Sequence, residues 1–185
     1  MKLYGSYTSP YVRHCRIALL ETQQKFEFVE ADRTVSTKLS PTQRVPFLQD
    51  GALFLSDSTS ILKHIRQKAG QDLCPSVVEM DMYCMANTLL DTSINLYLLQ
   101  LDGVTTQQSA YLARQQARID TSLAVLNKME LPSQAPYTDA QLCLACYLDW
   151  VQFRQLKDLS PYPVLAAFVQ AIQKYAPFAA TTLPK

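Results

Sequence analysis

The sequence has no excess of either charge. Its 17 Lys and Arg stand against 16 Asp and Glu, with both signs spread along 185 residues. Nucleic acids and anionic membrane surfaces are held by a field of one sign, so neither is expected as a partner. No long uninterrupted apolar run occurs, which argues against a transmembrane helix. The first residues go straight into a strand-like run without the charged, apolar and small-residue order of a signal peptide, so a cytoplasmic location is expected. Histidine is scarce, with only His14 and His64. Five cysteines, an odd number, fit a reducing compartment better than a disulfide framework. Cys143 and Cys146 have C-x-x-C spacing, but they sit in an apolar helical run at 142–150. A structural zinc site takes about four ligands. With no second pair and the histidines far off in sequence, no metal is expected, and the two cysteines read as buried helix-face residues.

What is present is a change of period partway along the chain. Residues 2–6 read as a strand, 10–21 as a helix, and Phe26 to Glu30 as a half-buried strand with apolar and charged residues alternating. Such a β-α-β unit makes its two strands parallel. Residues 31–42 are polar and poorly periodic, and read as a loop with at most one helical turn. Val45 to Gln49 and 52–55 read as a hairpin around Asp50-Gly51. A helix follows from Asp57 to about Lys68. Beyond a linker at 71–75 the period is helical throughout: 76–101, 105–129, 138–153 and 163–175. The expected architecture is an α/β domain over residues 1–70 followed by an all-helical domain over 76–185.

Three places could carry chemistry. Ser9 and Pro10 open the first helix. The serine oxygen suits the cap, and proline suits the first helical position because its missing N–H costs nothing there. A helix start offers N–H donors and partial positive charge, which favour an anion and lower a thiol pKa. Ser9 is therefore either a plain cap or a group that meets a thiolate. Arg44-Val45-Pro46 leads into a strand, where the proline follows either a trans or a cis bond. Asp57-Ser58 opens another helix, either as a plain cap with an acidic first turn or as a helix start that suits an anion. Thr138 and Gln141 form a capping box with a structural role. His14 and His64 read as solvated, as does at least one of Arg13 and Arg16.

Ser9-Pro10-Tyr11-Val12-Arg13-His14-Cys15-Arg16-Ile17-Ala18-Leu19 resembles the opening of cytosolic glutathione transferases of the serine type, especially tau-like ones. Glutaredoxins carry Cys-Pro-Tyr-Cys at this corner. Here Ser9 and Val12 replace both cysteines, which disfavours dithiol chemistry and favours a thiolate brought by a ligand. Arg44-Val45-Pro46 and Asp57-Ser58-Thr59-Ser60-Ile61 match two further motifs of the family, with Asp57 standing for a longer Glu or Gln. The resemblance covers essentially the whole chain and is strongest over the first third.

The resemblance implies a thioredoxin-like N-terminal domain that binds glutathione as co-substrate, a helical C-terminal domain and a homodimer. Ser9 would activate the thiol for attack on a small electrophile, and Tyr7 is the rival for that role. By the same resemblance Pro46 is cis, Val45 pairs with the cysteinyl unit, Asp57 and Ser58 hold the γ-glutamyl unit, and Arg44 helps the glycyl carboxylate. Tyr83, Asn87, Tyr97 and Trp150 either line a second-substrate site or pack as core. The competing class is a non-enzymatic binding protein on the same fold, as in the stringent starvation proteins, which resemble this family and bind RNA polymerase.

Overall fold

The computed structural model describes residues 1–184. They form two compact units: residues 1–75 with the segment from 176 onward, and Ser76–Tyr175. The tail from 176, expected with the helical domain, groups with the first unit instead.

The first unit is built on a four-stranded sheet in the order β2-β1-β3-β4. The strands are β1 (Lys2–Gly5), β2 (Glu27–Glu30), β3 (Phe47–Asp50) and β4 (Leu53–Leu55). β1 pairs in parallel with β2, Leu3 opposite Phe28, as a β-α-β crossover requires. It pairs antiparallel with β3, Leu3 opposite Leu48, and β3 pairs antiparallel with β4. Helices α1 (Pro10–Glu21) and α3 (Ser58–Lys68) pack on each other. The core holds Leu3 and Leu48 from the sheet, Val12, Cys15 and Leu19 from α1, and Ile61, Leu62 and Ile65 from α3, all fully buried. Gly5 lets α1 approach β1, because a Cβ there would lie 2.5 Å from a Val12 methyl carbon.

Residues 31–42 depart from the expected loop. A two-turn helix, α2 (Arg33–Leu39), runs there, started by Asp32, whose side chain accepts from Val35 N at 2.8 Å. Only Ser36 of this helix is buried, so no apolar stripe announces it.

The second unit contains α4 (Val77–Leu101), α5 (Ala110–Leu126), α6 (Asp139–Phe153) and α7 (Pro163–Ile172). Ser76 and Glu79 form a reciprocal capping box on α4. The helix expected from 105 is interrupted: a short 3₁₀ turn at Thr106–Gln108 ends at Ser109, whose extended backbone (φ −151°, ψ 125°) forces a fresh start for α5. α6 is buried around most of its circumference, from Ala140 to Leu148, as its nearly unbroken apolar run requires. Thr138 and Gln141 form the expected box, at 3.0 and 3.3 Å. Cys143 and Cys146 are buried. Tyr97 and Trp150 meet edge to face at 5.8 Å within this unit, and Tyr83 and Trp150 are buried. The final turn, α8 (Ala176–Ala179), packs on α1 in the first unit. No helix among the described residues is long and apolar enough to cross a membrane.

Candidate functional site

The strand register brings the sequence-predicted residues to one end of the sheet. β1 ends beside the start of β3, because Tyr4 pairs with Phe47. β4 ends beside the same point, because Leu55 pairs with Leu48. The Ser6–Ser9 turn after β1, the Val45-Pro46 bond before β3 and the Asp57 corner after β4 therefore share that end. Neighbouring strands lie about 4.8 Å apart, so the outer two corners are separated by about 10 Å across β3. α1 and α3 also start there, and both turn the positive ends of their dipoles toward it.

Ser9 caps α1. Its backbone is extended (φ −82°, ψ 124°), its Oγ accepts from Val12 N at 3.4 Å, and its carbonyl accepts from Arg13 N at 3.0 Å. Ser9 N donates to Ser6 O at 3.1 Å, and the Ser6 and Thr8 hydroxyls pair at 3.1 Å. The turn carrying Ser9 is thus tied at both ends.

The Val45–Pro46 peptide is cis. Pro46 is buried and Val45 half-buried, and the Val45 backbone enters no hydrogen bond among the described residues. Arg44 is exposed. Asp57 is the exposed cap of α3, accepting at Oδ1 from Thr59 N (2.9 Å) and Ser60 N (3.2 Å). Ser58, next in line, is buried, and the Cys15 thiol approaches its carbonyl at 4.0 Å. That contact ties α1 to the start of α3 and leaves Cys15 packed in the core.

Other readings change. His14 is only 3% exposed rather than solvated. His64 has a partner: its Nε2 lies 2.9 Å from Asp50 Oδ2, which also accepts from Lys68 Nζ at 2.7 Å. These bonds, Lys68 first, pull the Asp50 carboxyl down to about 2. Neither arginine of α1 is a plain surface residue. Arg13 is 2% exposed. Arg16 lies over the Tyr7 and Phe28 rings, at 4.9 and 5.2 Å, and burial lowers its pKa. Tyr7, the rival to Ser9, turns its ring to Phe28 at 4.7 Å. No sequence signal marked this cluster, because charge alone does not show which neighbour a long side chain covers. Among the described residues no group of three His, Cys, Asp or Glu could hold a metal ion.

Residues 3–72 match the family description "Glutathione S-transferase, N-terminal domain". The whole chain aligns with the uncharacterized GST-like protein YibF of Escherichia coli (strain K12), at 29% identity over 207 residues and 100% of both chains. A glutathione transferase family member from Pseudomonas fluorescens Pf-5, solved with bound glutathione, superposes with a TM-score of 0.86 over 100% of this chain and 99% of that one, at 25% identity. A structure with bound S-(propanoic acid)-glutathione from the same organism gives 0.81 at 27% identity, over 99% of each chain. Residues 3–72 thus match a glutathione transferase N-terminal domain, and the chain as a whole has the glutathione transferase fold, a thioredoxin-like unit followed by helices. These likenesses support the glutathione transferase family for the whole chain.

Proposed function

We propose that the protein is a glutathione transferase, which binds glutathione over the sheet end and activates its thiol for attack on a small electrophile. One observation carries this reading: Ser9, the cis Val45–Pro46 bond and Asp57 converge on a single end of the sheet. The roughly 10 Å across that end matches the span of a tripeptide at about 3.3–3.6 Å per residue. The unused Val45 backbone pairs with the cysteinyl unit as an added strand would. Both N–H bonds to Asp57 go to Oδ1, which leaves Oδ2 for the γ-glutamyl ammonium. The start of α3 at Ser58 takes the α-carboxylate, and exposed Arg44 serves the glycyl carboxylate.

Ser9 can cap and activate at once. Its oxygen accepts from Val12 N, and its own proton remains to be donated to the glutathione sulfur. A thiolate stabilised in this way has a lower pKa and a larger reactive fraction, although its intrinsic nucleophilicity falls somewhat. The serine-type assignment, the homodimer and a cytoplasmic, detoxifying role belong to the same reading. Calorimetry with glutathione tests it, with wild type beside Asp57→Ala. Binding at micromolar to low-millimolar Kd, weakened at least tenfold in the variant, supports the site. No binding at about 10 mM, weaker than about −3 kcal/mol, leaves a binding protein on an inherited fold.

A further inference from the structure

Arg16 lies seven residues after Ser9 on α1. Seven residues make nearly two full turns, so Arg16 lies about 10 Å along α1 from the cap at Ser9. Helical side chains lean toward the N-terminus. The Arg16 guanidinium follows that direction, because its carbon lies 4.9 Å from the ring centre of Tyr7, two residues before Ser9. The charge therefore lies over the ring of Tyr7, a residue of the turn that leads into Ser9. Phe28 forms the other wall at 5.2 Å.

One nitrogen of this group has no acceptor. Arg16 Nη1 is buried and has no hydrogen-bond partner among the described residues. No carboxylate pairs with it among the described residues; the charged or ionisable groups that bear on it are Tyr7 and a second cation, Arg13. Ring faces attract a cation but supply no lone pair for its N–H groups. Buried donors are nearly always satisfied, and an exception needs a reason. The cover over this one is Tyr7, a residue that is itself 40% exposed.

We propose that Arg16 is the specificity residue for the second substrate and that the substrate class is electrophiles bearing a carboxylate close to the reacting carbon. This rests on glutathione lying at Ser9 as described above. A carboxylate is the planar acceptor that a guanidinium fork matches best, and an arginine enclosed by two rings holds it in a drier setting than a surface lysine would. Tyr7 stands only two residues before Ser9, so the acid group that meets Arg16 belongs close to the reacting carbon.

The test compares two conjugates of equal shape, S-(carboxymethyl)glutathione and its uncharged partner S-(carbamoylmethyl)glutathione, by calorimetry. In wild type the acid is expected to bind at least tenfold tighter than the amide. Arg16→Gln should abolish that preference while leaving the affinity for glutathione itself within twofold, and Arg16→Lys should retain part of it. Far-UV spectra and thermal melts establish that both variants are folded, and Arg16→Lys carries the test if Arg16→Gln is not. Glutathione binding with equal affinity for the two conjugates overturns the proposal alone. So does an acid preference that survives Arg16→Gln, or a loss of affinity for glutathione itself, which would assign Arg16 to glutathione. Failure of glutathione to bind wild type overturns the proposal together with the site it rests on.

Discussion

The Arg13 guanidinium carbon lies 3.8 Å over the centre of the Phe178 ring, and Nη2 of the same group donates to the Phe178 carbonyl oxygen at 3.3 Å. One side chain holds both the ring and the backbone of a residue 165 positions away. Nε adds a bond to the Thr181 hydroxyl at 3.4 Å. A buried charge is tolerable where acceptors and a ring face replace its water. The helix that presents Ser9 therefore leans on the tail of the chain.

Phe178→Ala should cost about 3–5 kcal/mol, the usual loss for emptying a buried phenylalanine site. The ring is 1% exposed, and the charge above it loses its cover. Urea unfolding measures the difference. A variant as stable as wild type would mean that the tail is not part of the first unit's fold.

Asp57→Ala and Thr138→Ala each remove a helix cap worth about 1 kcal/mol. They should destabilise the protein to a similar degree. Only Asp57→Ala should also weaken glutathione binding, by tenfold or more. Equal binding losses in the two would reduce Asp57 to a cap.

Ser9→Ala should leave glutathione affinity within a few-fold of wild type and raise the pKa of the bound thiol by at least one unit, worth about 1.4 kcal/mol. Ultraviolet titration of the thiolate reads this directly, and conjugation rates should fall in parallel. An unchanged titration, with activity lost instead in Tyr7→Phe, would transfer the role to Tyr7.

Asp50 is held at about 2, below its ordinary 3.8, by the bonds from Lys68 and His64. A lowered carboxyl pKa contributes stability that is fully present above the unfolded value, near pH 4, and is lost as pH falls toward 2. The drop in urea midpoint between pH 5 and pH 2.5 should thus be smaller for Asp50→Asn than for wild type. Identical drops would show that this cluster does not contribute to acid sensitivity.

Much of the frame was legible from local chemistry. Ser9 with Pro10, Asp57, Ser76, and Thr138 with Gln141 mark helix starts because each cap bonds within three residues of itself. The β-α-β unit followed from alternation and spacing. α2 was missed because its single buried residue, Ser36, leaves no period to read. The burial of Arg13 was missed because its partners lie more than 160 residues away. The Asp50–His64 pair joins a strand to a helix 14 residues on, where helical spacing says nothing. For the site, residue types and order were legible. Their meeting at one sheet end came only from the strand register.

The first unit contains both the opening of the chain and its tail, with Ser76–Tyr175 inserted between. During synthesis Arg13 emerges long before Phe178 exists. At about 5–20 residues per second, the 165 residues between them take about 8–33 s. Throughout that interval the helix of Ser9 carries a cation whose burial site has not yet been made. The part of the protein translated first is therefore the part that matures last, and a ribosome stalled anywhere in the helical unit holds a first helix whose arginine still lacks the ring that covers it.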